Sequence, residues 1–277
     1  MPRRRRRSRC CRSGRTRAGR GSRRGTRRVL QSLRDVTHRT VPDEFSTFVP
    51  QQQSSRGGRM RIGILGAGRM ADALGTHWAR AGHELTVSGR NPAKAAALAA
   101  RLGPAARAGT WEEAAVFGEV TLLAVRDHAV TEVLAAAGGG RGTLDGRVLA
   151  DCVNPVVQGR FTLATEGGPS MARRVAESTG AHVVKAFNLC HEDVWRMTPP
   201  AFDGVPLAVP LCGDDPAALA AVRSLVTDLG CEPVDGGGLE RAGLLEATAA
   251  FMIGLWVGGA DARAVLPPLR YAFGDRG

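Results

Sequence analysis

Several absences narrow what this chain can do before its motifs are considered. No two of its six cysteines, Cys10, Cys11, Cys152, Cys190, Cys212 and Cys231, have C-x-x-C spacing, and no spacing suggests a zinc site. Buried, reduced thiols are the plain expectation, with no bound metal. Long hydrophobic runs are also missing. The longest uncharged apolar stretch, ATAAFMIGLWVGGA at 247–260, has 14 residues. That is about 21 Å of helix, whereas a bilayer needs ~18–20 residues. The stretch predicts a core or dimer-interface helix rather than a membrane span, in a soluble, cytoplasmic protein. The apolar h-region of a secretory signal is absent. There are no internal repeats and no recognisable catalytic triad.

Lysine is absent from residues 1–59, which hold 18 arginines and only three acids, Asp35, Asp43 and Glu44. This leader carries +15; because the whole 277-residue chain carries +12, the remainder carries −3. The basic character is therefore confined to the leader, and any affinity for nucleic acid is expected there alone. The leader has almost no apolar residues before Val29. It cannot offset its ordering entropy by burial, so it is expected to be disordered. It reads as an anion-binding arm, a targeting peptide or a start-site artefact. The last is favoured, since Met60 stands directly before the first apolar strand and the fold needs nothing ahead of it.

From Met60 onward, apolar strand patterns alternate with helical periodicity. RIGILG, HELTVSG, EVTLLAV, RVLADC, HVVKAF, LAVPLCG and CEPVD read as strands. Helices are expected between them, one capped by Asn91 with Pro92 at its first position and another capped by Asp214 or Asp215. The pattern predicts an α/β fold: a Rossmann-type, doubly wound, mostly parallel sheet covered on both faces. The expected division is a leader at 1–59, a nucleotide-binding domain at 60–235 and a C-terminal helical segment at 236–277.

GAGRMA, at Gly66, Ala67, Gly68, Arg69, Met70 and Ala71, fits G-x-G-x-x-G/A between a strand and a helix. Gly66 permits the tight turn, Gly68 lets the backbone approach a pyrophosphate, and Ala71 packs helix on strand. The helix N-terminus then meets the phosphates. An NAD enzyme normally ends its second strand in an acid, which accepts from a free ribose 2′-OH. Here the strand ends in Ser88, Gly89 and Arg90. Arg90 offers a planar fork to a 2′-phosphate, Ser88 a hydroxyl and Lys94 a second cation. The cofactor is expected to be NADP(H).

RIGILGAGRMADALGTHWARAGHELTVSGR, LLAV, DCVNP, PSMA, HVVKAFN, CGDDPAA and GCEPVDGGGLERAGLLE occur in one order. In that order the chain resembles the F420-dependent NADP oxidoreductase family over about residues 60–250. That family includes soluble reductases that pass hydride between NADPH and the deazaflavin coenzyme F420, and the cytosolic reductase heads of membrane ferric reductases. The resemblance implies that Val125–Arg126, Asn154–Pro155 and Phe187–Asn188 surround the nicotinamide, and that the chain pairs into a homodimer through C-terminal elements. The chain departs from the family pattern at Arg126, where the family usually has proline. It departs again at Arg173, in place of the glutamate of S-x-A-E, and at Leu189, in place of the threonine of K-A-F-N-T.

Hydride transfer between two cofactors needs stacked geometry rather than a general base. A small-molecule acceptor is expected: coenzyme F420, or alternatively a flavin, quinone, imine or carbonyl compound. A non-catalytic NADP(H)-sensing module is the alternative of another class. CHED, Cys190 to Asp193, is too contiguous to converge on one metal ion. Within it His191 is the one weak candidate for a proton donor, and His128 is weighed in the same way. Lys185 is expected to pair structurally with a carboxylate.

Overall fold

The computed structural model describes residues 58–165, 167–261 and 265. Readings that fall on the rest of the leader, Cys10 and Cys11 included, lie outside the described residues. β1 (Arg61–Leu65) leads into α1 (Arg69–Ala81), β2 (Glu84–Ser88) into α2 (Pro92–Leu102), β3 (Ala106–Ala108) into α3 (Trp111–Phe117), and β4 (Val120–Leu123) into α4 (Val130–Ala136). β5 (Val148–Asp151) is followed by the hairpin β6 (Val156–Val157) and β7 (Thr162–Leu163), then by α5 (Met171–Thr179). Next come β8 (His182–Lys185), α6 (Glu192–Trp195) and a second hairpin, β9 (Ala201–Phe202) with β10 (Val205–Pro206). β11 (Ala208–Leu211), α7 (Pro216–Thr227), β12 (Glu232–Asp235) and α8 (Ala242–Val257) complete the described chain.

Six strands form one parallel sheet in the order β3-β2-β1-β4-β5-β8, the doubly wound arrangement that the alternation predicts. β11 and β12 form a separate parallel pair. Lys185 and Cys212 bridge that pair to β8 through two backbone hydrogen bonds of 2.8 and 3.1 Å.

The strand pleat sends alternate side chains to opposite faces. Ile62, Ile64, Val120, Leu122, Ala150 and Val184 join one buried cluster with α1, α2 and α7. Leu65, Leu123, Leu149 and Val183 join a second with α3, α4 and α5. Gly63 is required by contact: a Cβ there would stand 2.0 Å from Ala114 O, so α3 lies directly on β1.

Caps fix the helix starts. Asn91 accepts from Lys94 N at 3.2 Å with Pro92 at the first position, and Asp215, not Asp214, caps α7 by accepting from Ala218 N at 2.7 Å. The sequence reading lacks β3, α3 and both hairpins. It reads the apolar run at 247–260 as a core or dimer-interface helix. In the structure α8 buries Ala249 and Ala250 but leaves Phe251, Trp256 and Val257 exposed. Among the described residues no helix is long and apolar enough to cross a membrane.

Candidate functional site

The carboxyl ends of β1, β2, β4 and β5 open on a cleft of about 840 Å³. Its floor is the turn between β1 and α1. Gly66 has φ +132, and a Cβ on it would lie 2.2 Å from Ala124 O, so only glycine makes this turn. Gly68 is the opposite case, since a Cβ there would meet nothing within 4 Å on the open side. That space is what a phosphate needs to reach the backbone. Gly68 is also the N-cap of α1 and contributes no capping side chain. The first N–H groups of α1, from Arg69 onward, therefore await an acceptor at the positive end of the helix. Ala67, Arg69 and Met70 line the same turn, and Ala71 is fully buried behind it.

Arg90 and Lys94, at the end of β2 and in the first turn of α2, are exposed on the cleft wall beside Gly89. Neither pairs with an acid among the described residues. Two free cations beside an uncapped helix N-terminus suit an additional phosphate, and the cleft fits NADP(H) on these grounds. Ser88 is a correction. It is fully buried, and its hydroxyl donates to Ile64 O at 2.8 Å, so it ties β2 to β1 and faces no ligand.

Val125 and Arg126 at the end of β4 and Asn154 beyond β5 line the far part of the cleft, with Cys152 and Val153. Ala129 N donates to Arg126 O at 2.9 Å and fixes the turn into α4. Asn188 and Pro155, expected at the nicotinamide, sit behind this wall. Asn188 is buried; its Nδ2 donates to Asn154 Oδ1 at 3.0 Å and to Leu245 O at 3.1 Å, while Asn154 Nδ2 donates to Asn188 O at 2.6 Å. It holds Asn154 instead of touching the cleft. Pro155 is buried, and its carbonyl accepts from Ala164 N of the hairpin at 2.7 Å. Phe187 turns the chain toward Asn188 with φ +60, a strained value for a non-glycine residue. Edge-on packing between Trp78 and Trp195, with ring centroids 6.0 and 5.6 Å away, offsets that strain.

Below the loop after β5 lies a fully buried charge cluster. Lys185 Nζ donates to Asp151 Oδ2 at 3.0 Å and to Val153 O, and it meets Glu246 Oε1 at 3.1 Å. Three acceptors thus match its three protons. Burial opposes the Lys185 charge, but Asp151 and Glu246 outweigh burial and raise its pKa. Burial also raises that of Asp151, against the pull of Lys185. Asp151 Oδ1 accepts from Val153 N at 2.8 Å, so both peptide groups of Val153 are held. Glu246 of α8 accepts from Met171 N and Ala172 N at 3.0 and 3.1 Å, at the start of α5. Lys185 therefore has the expected structural pairing.

His191 lies off the cleft. It is exposed, and its Nδ1 accepts from Asp193 N at 3.3 Å as the N-cap of α6. The neighbouring Glu192 lines the cleft and pairs with Arg69 Nε at 2.8 Å, while Asp193 takes the other side of that guanidinium at 3.1 Å. The only signal for Glu192 was its place in CHED, where the spacing argument concerned metals. His128 lines the cleft and stands 3.6 Å from Asp127. Burial pushes the Cys152 thiol up to about 12, and its Sγ donates to Leu123 O at 3.2 Å, so it is held as the thiol in the cleft wall. Among the described residues no group of metal-ligating side chains is found.

Comparison with known proteins agrees with this geometry. Residues 61–155, from β1 to the loop after β5, match the family described as NADP oxidoreductase, coenzyme F420-dependent. The chain is 30% identical over 196 residues to the metalloreductase STEAP3 of Rattus norvegicus, a match covering 71% of this chain and 38% of that protein. The chain thus spans well under half the length of that relative. A solved structure from Arthrobacter sp. FB24, assigned as an F420-dependent NADP reductase, superposes with a TM-score of 0.64 at 25% identity, over 73% of this chain and 96% of that one. An imine reductase from Myxococcus stipitatus shares the fold, with a TM-score of 0.54 at 20% identity over 73% of this chain and 62% of that one. The nucleotide cradle and most of the parallel sheet that carries it lie within residues 61–155, the part of the chain that matches the F420-dependent NADP oxidoreductase family.

Proposed function

We propose that the chain is an NADPH-dependent oxidoreductase in which Arg90 and Lys94 hold the 2′-phosphate of the cofactor, α1 receives its pyrophosphate, and coenzyme F420 is the hydride acceptor. The observation that carries this reading is the pair of unpartnered cations, Arg90 and Lys94, beside the uncapped start of α1. When bound, NADPH supplies a hydride, two electrons with one proton, and leaves as NADP⁺. The chain contributes position. Gly68 admits the phosphates, and the Asn188–Asn154 pair and the Lys185 cluster fix the wall beside the nicotinamide. The family description and the Arthrobacter structure support the deazaflavin as acceptor.

A second reading keeps the cofactor and changes the acceptor to a flavin, quinone, imine or carbonyl compound. Arg126 and Leu189, where the family pattern has proline and threonine, favour it. Mixing purified protein with NADPH and oxidised F420 and following the loss of deazaflavin absorbance tests the first reading. Steady turnover supports it. Turnover with another acceptor alone favours the second. Tight NADPH binding without turnover on any acceptor points to an NADP(H)-sensing module.

A further inference from the structure

The glycine turn carries a single cation, Arg69, and acids already hold it. Arg69 is the first residue of α1 and lines the cleft next to Gly68. Its guanidinium is turned onto α6: Nε meets Glu192 Oε1 at 2.8 Å, and Nη2 donates to both oxygens of Asp193 at 3.1 and 3.2 Å. The two acids are not equivalent. Asp193 also faces Arg196 Nε at 3.6 Å. Arg196 in turn pairs with Asp72 of α1 at 2.8 Å and donates to Arg69 O at 3.4 Å. Asp72 holds a further guanidinium, that of Arg101 of α2, at 3.2 Å. Asp193 and Asp72 thus each serve two arginines and tie α1, α2 and α6 together. Among the described arginines Glu192 serves Arg69 alone, and its other oxygen lies 3.3 Å from His191 Nε2.

Asp193 alone is enough to anchor Arg69 to α6, and an acid on the wall of a phosphate cleft opposes the ligand. Yet of the two acids it is Glu192 that lines the cleft. One guanidinium against two carboxylates leaves one negative charge beside the free N–H groups of α1. Without Glu192 this group is neutral, and the Nε edge of Arg69 is open to an anion in the cleft. The Arg69 side chain is 63% exposed, and ion pairs so open to water are weak enough to exchange. A phosphate matches the guanidinium fork as well as a carboxylate does, so it competes with Glu192 for Arg69. The exchange leaves α1 and α6 in place, because Asp193, Arg196 and Asp72 hold them in either case.

We propose that Glu192 regulates how firmly the cleft holds its dinucleotide: it keeps Arg69 off the pyrophosphate position in the empty cleft, yields it when the cofactor binds and reclaims it on release. This rests on reading the cleft as the NADPH site. Adenosine 2′-phosphate is the control ligand, because it carries the phosphate assigned to Arg90 and Lys94 and has no pyrophosphate. Dissociation constants of NADPH and of adenosine 2′-phosphate are measured by titration calorimetry for native protein, Glu192→Gln and Arg69→Gln. Glu192→Gln is expected to bind NADPH about three- to fivefold more tightly than native protein, the worth of one exposed ion pair. Arg69→Gln should bind NADPH about tenfold less tightly, the worth of one charged hydrogen bond. Adenosine 2′-phosphate should stay within about twofold of native in both variants. A gain of affinity is not what a damaged fold produces, so the Glu192→Gln result separates regulation from structural support. Unchanged or weaker NADPH binding by Glu192→Gln overturns the proposal. So does native-like NADPH binding by Arg69→Gln, because the released guanidinium would then have no phosphate to hold. Equal shifts for the two ligands overturn it too, since the change would not lie at the pyrophosphate. Failure of the underlying reading is separate: native protein would then bind neither NADPH nor adenosine 2′-phosphate.

Discussion

Single residues divide the strand-end positions into those that meet a ligand and those that build the wall. Gly68 and Ser88 show the difference. A Cβ at Gly68 meets nothing in the protein, so Gly68→Val should fold with an unchanged melting temperature yet lose roughly tenfold or more in NADPH affinity, because the added side chain occupies the phosphate position. Isothermal titration and a thermal melt separate the two effects. Ser88 is buried against Ile64 O. Ser88→Ala should therefore leave the NADPH-to-NADH preference unchanged and cost about 1 kcal/mol of stability, read by urea unfolding. In the sequence both residues look like phosphate contacts. The pleat decides between them: β2 is buried through Ser88, and the chain first emerges at Gly89 and Arg90.

Elements are held to one another by polar contacts between buried groups, and these were the least legible part of the sequence. The Lys185 cluster joins β5, β8, α5 and α8. Lys185→Met would strand two buried carboxylates and should destabilise by about 3–5 kcal/mol in urea unfolding. A loss under 1 kcal/mol would show that the cluster is not a structural tie. His77 of α1 donates to Trp195 O of α6 at 2.8 Å. Burial depresses its pKa below 6.5, against that hydrogen bond. The unfolded chain therefore binds the proton more readily, so this stability is present above pH 6.5 and is lost as pH falls through the depressed value. Between pH 7.5 and 5.5 the melting temperature of native protein should fall further than that of His77→Gln; parallel curves would refute the assignment. The strands of the central sheet could be read from β-branched apolar runs, and α1, α2 and α7 from their periodicity and terminal glycine, asparagine and aspartate. β3 has three residues and α3 seven, too short for a period to show. The hairpin that places Phe161 carries no turn signal strong enough to stand out. Asn188 was legible as a site residue, but its role behind Asn154 depends on the strained backbone of Phe187, which no pattern records.

At the scale of the whole molecule, the exposed apolar side chains of α8 and the location of the cleft make separate predictions. Phe251, Trp256 and Val257 are each about half or more exposed on one helix, an unusual cost in water. We propose that a second copy covers them in a homodimer. Phe251→Asp with Trp256→Asp should then halve the mass seen by light scattering, and an unchanged mass would remove α8 from the interface. The residues that line the cofactor cleft run from Gly66 to Glu192, so a chain starting at Met60 should keep NADPH affinity while losing the +15 of residues 1–59. Retention on nucleic acid, if present, should disappear with that charge. The assignment of the cleft rests most directly on Arg90 and is decided by comparing the dissociation constants of NADPH and NADH for native protein and Arg90→Ala. The substitution should weaken NADPH roughly 10- to 150-fold, the worth of one charged hydrogen bond, and leave NADH nearly unchanged. Equal losses for the two cofactors would contradict it, because Arg90 would then not read the 2′-phosphate.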